Sequence, residues 1–195
     1  GVRSRVLPMT DSPVATRVQT PEGELEFQDY FVARGTRPRV TGVRFQGAET
    51  AKATPEAAEA IDSAGTIVYC PSNPIVSLGP ILAIGEIEER LRRPEIPRIG
   101  VSPIIGSSAL RGPAADMMKS LGHEVSALGV AEILRDFIDG FVFDDEDATL
   151  LPAFGERGIT ARTAPSVMTD TPSKKRLAIE VLGFAEEIRN QSPAG

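Results

Sequence analysis

Residues 66–79 read TIVYCPSNPIVSLG, and this stretch decides the fold that the sequence predicts. Residues 66–70 form a nearly all-apolar run, which is typical of a strand inside a parallel sheet covered on both faces. The turn that follows contains Pro71 and Pro74, and a helix opens near Gly79. A buried strand that leads through a polar turn into a helix indicates an α/β fold.

The polar groups of this turn predict a ligand site. Ser72 and Asn73 lie at the carboxyl end of the strand, where ligands bind in open α/β sheets. Ser77 and Gly79 follow at the start of the helix, whose free amides favour an anion, and a glycine permits close backbone approach. We therefore predict a nucleotide-type ligand at these four residues. The alternative is that Ser77 caps a helix and nothing binds.

A second segment repeats the design. Residues 101–106 read VSPIIG, so Ser102 and Gly106 follow another buried run and are predicted to form the other wall of the site. Arg111 can hold a phosphate oxygen bidentately, or it can face solvent before a helix whose first position is Pro113.

A third candidate follows the short apolar run near the start of the sequence. Thr10 and Asp11 bring a hydroxyl and a carboxylate together, and Asp11 can contact a base, a ribose or a metal. The alternative is an Asx-turn before Pro13.

Three other features predict no chemistry. The acidic run at residues 144–147 lacks the alternation of an EF-hand loop, so we expect a solvated loop. His123 is expected at a helix C-terminus. Cys70 has no nearby His or CxxC partner and is expected to be a buried, inert thiol.

The remaining pattern alternates strands and helices. An N-terminal hairpin, with strands at 17–20 and 24–34, turns at residues 21–23, and a strand follows at 41–45. A helix is predicted from Thr54, the N-cap, and Pro55 to about residue 64. Further strands are expected at 99–102, 140–143 and 159–163. A helix or a pair of helices is expected at 76–93, and further helices at 112–121, 127–138 and 173–189. We predict a three-layer Rossmann-like α/β domain over residues 1–195, with a mainly parallel sheet, an N-terminal β-hairpin excursion and a frayed tail at 190–195.

Composition narrows the class of function. The 195 residues include 21 basic and 27 acidic side chains, and this net charge of -6 argues against non-specific nucleic-acid binding. Local amide dipoles still allow an anionic small ligand. One cysteine permits no internal disulfide, which suits a reducing cytoplasm. We also expect no membrane span, because the sequence contains no apolar run of sufficient length.

Five segments resemble the 2-phospho-L-lactate transferase family, which makes the deazaflavin coenzyme F-420. They cover nearly the whole chain in the family's order and read LPMTDSPVATRVQTPEGELEFQDYFV, CPSNPIVSLGPILAI, VSPIIGSSALRGPAADMM, LGHEVSALGVA and IDGFVFD. The resemblance implies transfer of a phospholactyl-type or phosphoenolpyruvyl-type group from a guanosine-diphosphate-linked donor to the ribityl hydroxyl of the deazaflavin Fo. GMP leaves, magnesium assists, and a homodimer is expected.

The resemblance also implies roles for residues. Ser72, Asn73, Ser77 and Gly79 would hold the donor, Ser102 and Gly106 would close the other side, and Thr10 and Asp11 would lie near the nucleotide or the metal. No catalytic residue and no metal ligand is assigned within the chain.

The sequence departs from the family pattern in two ways. Family members carry a longer N-terminal part with a glycine-rich loop and acidic residues linked to metal and Fo, so we expect this chain to be the C-terminal part of a longer transferase. Members often have a lysine shortly after SPIIG, where this chain has serines at 107 and 108. The alternatives are a non-catalytic nucleotide-sugar-binding regulator of the gluconeogenesis-factor type, and an inactive fragment.

Overall fold

The computed structural model describes residues 4–93, 95–106, 108–109 and 113–191. The chain forms two compact units: Gly1–Ala64 with Ile75–Arg93, and Gly65–Pro74 with Pro94–Gly195. The sequence led us to expect one domain, and that expectation stays a prediction. The predicted ligand turn is divided between the units, because Pro74 belongs to the second and Ile75 to the first.

The first unit contains a three-stranded antiparallel sheet in the order β2-β1-β3. Its strands are β1 (Ala15–Thr20), β2 (Gly23–Glu26) and β3 (Gly42–Gln46). Thr20 pairs with Gly23 across the turn, and Gly23 adopts a φ of 121°, which explains the glycine there. The predicted hairpin and the predicted strand at 41–45 are therefore confirmed.

The second strand of the hairpin ends sooner than predicted. A π-helical turn occupies Asp29–Ala33, so the expectation of a strand to residue 34 is wrong. The rings of Phe27 and Phe31 stack with centroids 5.6 Å apart. Positions i and i+4 are neighbours on a helical turn and far apart on a strand, so this aromatic pair favours the turn.

Three helices complete the first unit. They are α1 (Pro55–Asp62), α2 (Gly79–Leu82) and α3 (Gly85–Leu91). The Thr54 side chain accepts a hydrogen bond from the N–H of Ala57, so the predicted N-cap of α1 is confirmed. The prediction of a helix or a pair of helices at 76–93 is confirmed as a pair, α2 and α3, with Ile84 extended between them. A π-helical turn at Pro74–Leu78 precedes the pair.

The described residues of the second unit form six strands: β4 (Ile67–Tyr69), β5 (Arg98–Val101), β6 (Ile104–Ile105), β7 (Ser108–Ala109), β8 (Gly140–Asp144) and β9 (Ala161–Ala164). Four of them form a parallel sheet in the order β4-β5-β8-β9, and β6 and β7 form a small antiparallel ribbon. This confirms the mainly parallel sheet and the four predicted strands that build it. Within the described part of the chain β4 pairs with β5 alone, and Val68 is 37% exposed, so β4 is not covered on both faces as predicted.

Helices cover both faces of the parallel sheet. The helices are α4 (Ala114–Ser120), α5 (Ala127–Ile133), α6 (Leu151–Glu156) and α7 (Thr171–Gln191). On one face, α7 packs against β5, β8 and β9 in a buried cluster that includes Ile99, Val142 and Leu177. On the other face, the ring of Phe154 from α6 stacks on Phe141 and Phe143. Successive side chains alternate across a strand, which is why neighbouring residues of β8 serve opposite layers.

A paired arginine fixes the amino end of β5. Arg98 is 8% exposed and donates Nε–H and Nη2–H to the two carboxylate oxygens of Asp139, at 2.9 and 2.6 Å. The N–H of Arg98 also donates to this carboxylate, and the N–H of Asp139 donates to the carbonyl of Arg98. These bonds raise the pKa of Arg98, so the buried guanidinium stays charged and paired.

Candidate functional site

The carboxyl ends of the four parallel strands lie at one edge of the second unit's sheet. Parallel neighbours end on the same side, and ligands of open α/β sheets bind outside this edge. Ser72 and Asn73 follow β4, Ser102 and Gly106 follow β5, and the acidic run follows β8. The structure thus brings four predicted site residues to the ends of two neighbouring strands.

The turn after β4 is partly accessible. Ser72 and Asn73 are both half-buried. The Nδ2 of Asn73 lies 3.7 Å from the Sδ of Met117, a fully buried residue of α4. The contact with Met117 orients the side-chain amide of Asn73, while part of its surface faces solvent. Such a side chain is suited to donating a hydrogen bond to a ligand.

The turn after β5 is held by its own serine. Ser102 is 2% exposed; its hydroxyl donates to the carbonyl of Ile104 at 2.9 Å and accepts from the N–H of Ile104 at 3.1 Å. The hydroxyl is therefore used to close the turn. A donor contact by this segment would come from its backbone and shape, and the prediction of ligand contact at Ser102 stays a prediction.

The far end of that turn is held by a carboxylate from another loop. Gly106, with a φ of 61°, donates its N–H to both oxygens of Asp147, at 3.1 and 2.9 Å. Asp147 is 9% exposed and lies in the 3-10 segment Asp145–Leu150, which follows β8. The N–H of Gly106 is thus occupied by a protein partner, and ligand contact at Gly106 stays a prediction.

A second buried carboxylate ties the loop after β9 to the end of β8. Asp144 accepts bonds from the N–H of Glu146 at 3.0 Å and from the N–H and hydroxyl of Ser166, both at 2.8 Å. Burial by itself raises the pKa of Asp144, and these bonds together with the N–H of Val167 overcome it and hold the pKa below its usual value. Asp144 is therefore a charged structural anchor.

The predicted residues of the first unit have separate surroundings. The hydroxyl of Thr10 accepts the N–H of Ser12 at 3.1 Å, so the threonine and not Asp11 closes this turn. The side chain of Asp11 is exposed. Thr54 donates its hydroxyl to the carbonyl of Pro8 at 3.0 Å, which joins this segment to the N-terminus of α1.

Ser77 and Gly79 also lie in the first unit. Ser77 is exposed within the π-helical turn, and α2 has Leu78 as its N-cap without a side-chain bond, so Ser77 caps no helix. A Cβ at Gly79 would lie 2.6 Å from the Cζ of Phe45. The close approach that this glycine permits is to the aromatic ring, and its proposed contact with a ligand stays a prediction.

Two sequence expectations are wrong, and one predicted site residue falls outside the structure. Cys70 is exposed, not buried, since it follows the last residue of β4. Asp144 and Asp147 are buried, so the acidic run is not a solvated loop; its other two residues are exposed. Arg111 lies outside the described residues. His123 follows the end of α4 as predicted, and its N–H donates to the carbonyl of Met118 at 2.9 Å.

The carboxylates do not form a metal centre. Over residues 4–93, 95–106 and 113–191, no three His, Cys, Asp or Glu residues are grouped so that they could hold an ion. The two buried carboxylates are each occupied by backbone N–H groups. The residues that the structure describes therefore do not fit a protein-built magnesium site.

A separate cavity of about 380 Å³ lies between β4 and α7. Its lining is apolar except for Lys174, and it includes Val68, Val101 and Leu182. Such a lining provides few hydrogen-bond donors for a diphosphate. The polar groups predicted to bind a nucleotide lie at the sheet edge and not in this cavity. Among the described helices, none has the length and apolarity needed to cross a membrane.

Residues 1–182 match the family described as 2-phospho-L-lactate transferase CofD. The chain is 39% identical over 188 residues to the 2-phospho-L-lactate transferase of Methanosarcina barkeri, covering 96% of this chain and 60% of that relative. It is 37% identical over 190 residues to the phosphoenolpyruvate transferase of Streptomyces griseus, covering 95% and 60% respectively. The chain thus spans about 60% of the length of these relatives.

A solved structure supports the fold alone. A member of the UPF0052 family from Bacillus halodurans superposes with a TM-score of 0.64 at 16% identity, covering 92% of this chain and 62% of that chain. This agreement confirms the predicted α/β class.

Proposed function

We propose a transferase function for this chain, because it belongs to the 2-phospho-L-lactate transferase CofD family. The reaction moves a phospholactyl or phosphoenolpyruvyl group from a guanosine-diphosphate-linked donor to the ribityl hydroxyl of the deazaflavin Fo, in coenzyme F-420 biosynthesis. One observation carries the proposal beyond family membership. The two turns that carry the resemblance, 70–74 and 102–106, follow the neighbouring parallel strands β4 and β5.

The chemistry is transfer of a substituted phosphate. The ribityl oxygen attacks the phosphorus that bears the lactyl or enolpyruvyl group, and a new phosphorus–oxygen bond forms. The bond from that phosphorus to the bridging oxygen breaks, GMP leaves with the electron pair, and the hydroxyl proton passes to solvent. Catalysis of this kind depends on positioning and on stabilising charge. Ser72 and Asn73 are the half-buried polar side chains at the sheet edge that can orient the donor.

Magnesium belongs to the proposal as an ion held by the donor's own diphosphate oxygens and water, a common mode for this cation. The described residues form no cluster that would hold this ion. A homodimer and a cytoplasmic location complete the proposal, and light scattering on the purified chain tests the former.

The test mixes the chain with Fo and magnesium and supplies either the lactyl or the enolpyruvyl donor. Both donors are needed, because the relatives include a 2-phospho-L-lactate transferase and a phosphoenolpyruvate transferase. Mass spectrometry should find the phosphodiester product and GMP in equal amounts, and chelation of magnesium should abolish both. No product with either donor, combined with binding of a UDP-sugar but not of GDP, would overturn the proposal in favour of a nucleotide-sugar regulator.

A variant pair locates the donor site. We expect Asn73→Ala to weaken GDP binding about tenfold in calorimetry, as the loss of one hydrogen bond to a charged group would. The control is Asn190→Ala, at an exposed asparagine near the end of α7 in the same unit. Equal GDP affinity in both variants would remove Asn73 from the site. A chain that melts at the same temperature with and without GDP would instead be an inactive fragment.

A further inference from the structure

We propose that Asp147 is a positioning residue for donor binding, acting through the turn at residues 102–106. This inference rests on the proposed function, because that turn is one of the two donor-binding turns. It assigns a role to a residue from the acidic run, which the sequence alone marked as a solvated loop.

The link between Asp147 and the turn is direct. The N–H of Gly106 lies between the two carboxylate oxygens, at 3.1 and 2.9 Å. Asp147 is 9% exposed, and burying a carboxylate is costly unless hydrogen bonds compensate. The hydrogen bonds from Gly106 therefore compensate for the burial of Asp147, and a change at the carboxylate alters the hydrogen bonding of Gly106.

The turn is held at two points of different origin. At its start, Ser102 closes the turn on itself through Ile104. At its far end, Gly106 follows Ile105 of β6, and the holding group comes from the loop after β8. Asp147 has φ -98° and ψ 15°, which breaks the helical geometry of its segment. Its carboxylate thus joins the loops of two neighbouring strands, and without it the N–H of Gly106 would lose both of these hydrogen bonds.

The same run supplies a matched comparison. Asp144 is also buried, at 7% exposed, and its carboxylate accepts the N–H of Glu146 in its own loop and the N–H and hydroxyl of Ser166 after β9. Replacing either aspartate by asparagine removes the same charge from a similar degree of burial. Only Asp147 bonds to Gly106 among these two aspartates, so the pair of changes separates a role in donor binding from a general role in stability.

The experiment measures kcat and KM for donor and for Fo in Asp147→Asn, Asp147→Ala and Asp144→Asn. Asp147→Asn should raise the donor KM about tenfold, because a weakened charged hydrogen bond misplaces the turn, and should change the Fo KM less than about twofold. Asp147→Ala should have a larger effect, since asparagine keeps one acceptor. Asp144→Asn should lower the melting temperature while leaving the donor KM within about twofold.

Amide hydrogen exchange gives a readout that needs no substrate. The N–H of Gly106 should exchange faster in Asp147→Asn and at the wild-type rate in Asp144→Asn. The proposal is overturned if Asp147→Asn raises both KM values equally, lowers only kcat, or matches Asp144→Asn in donor KM. Should Asp147→Ala fail to fold, the near-isosteric Asp147→Asn decides.

Failure of the proposed function looks different. A wild-type chain that neither transfers the group nor binds GDP overturns the transferase proposal and with it the donor role of Asp147. Faster Gly106 exchange in Asp147→Asn would then still establish the link to the turn, and unchanged exchange would remove that link as well.

Discussion

Replacing Gly79 by alanine separates packing from ligand approach in the predicted ligand turn. A Cβ at this position would lie 2.6 Å from Cζ and 3.1 Å from Cε2 of Phe45. Carbon atoms pack at about 3.5–4.0 Å, so the ring must move by roughly 1 Å. Overpacking of this kind costs about 1–3 kcal/mol, and Phe45 is half-buried, so it can shift toward solvent and the low end applies. The helix propensity of alanine offsets a few tenths of that at a helix start.

We therefore expect Gly79→Ala to lower the free energy of unfolding by about 1 kcal/mol, measured by urea denaturation. The matched control is Gly85→Ala, at the first residue of α3, where within the described part of the chain no atom lies within 4 Å of the added Cβ. That variant should be neutral or slightly stabilised. In a Phe45→Leu background, the cost of Gly79→Ala should disappear.

If Gly79→Ala costs the same free energy of unfolding with Phe45 and with Leu at position 45, then the Phe45 ring does not cause the cost. A different result would restore the ligand interpretation. If Gly79→Ala leaves stability unchanged and weakens GDP binding, then the glycine permits close approach of the donor and not of the ring.

Three further predictions concern other contacts. Asp139→Ala removes the carboxylate that pairs with the buried Arg98 and should cost about 3 kcal/mol in urea denaturation, whereas a double change to apolar residues should cost less. Thr54→Val removes both the N-cap of α1 and the bond to Pro8 and should cost about 2 kcal/mol, most of which Thr54→Ser restores. Because the pKa of Asp144 is lowered in the folded protein, its carboxylate stabilises the fold at pH values above the ordinary aspartate pKa of about 4. This stabilisation is lost as the pH falls from that value through the lower pKa of the folded state. In Asp144→Asn, the free energy of unfolding should therefore fall less steeply over this pH range.

The parallel sheet could be predicted because its strands are short apolar runs bounded by turn residues. Residues 66–70, 99–102 and 140–143 each gave a strand within one or two residues of its place. The ribbon of β6 and β7 could not be predicted, since two-residue strands carry no periodicity. The helix α6 was missed because the 3-10 segment directly before it, Asp145–Leu150, begins with the acidic run and has no helical pattern of its own.

The spacing of Asp144 and Asp147 in the sequence indicates their burial, although the acidic composition of residues 144–147 suggests exposure. Asp144 is the last residue of the buried strand β8 and the N-cap of the 3-10 segment. Asp147 lies three residues further on, and the two residues between them are exposed. A run of like charges suggests that all of its side chains are exposed to solvent. The spacing of three residues within this run indicates instead that two of its side chains face inward.

The residue types in the two predicted ligand turns do not reveal which side chains hold the turn and which are accessible to a ligand. The hydroxyl of Ser102 closes its own turn, the N–H of Gly106 bonds to Asp147, and a Cβ at Gly79 would meet an aromatic ring. Among the predicted site residues that the structure describes in the second unit, Ser72 and Asn73 have half-buried polar side chains. If the proposed donor site is correct, donor affinity should respond to the chemistry of the β4 turn and, through the position of the β5 turn, to Asp147. Substitutions in the β4 turn are expected to lower donor affinity because contacts with the donor are lost. Substitutions at Asp147 are expected to lower donor affinity because the turn at residues 102–106 is displaced.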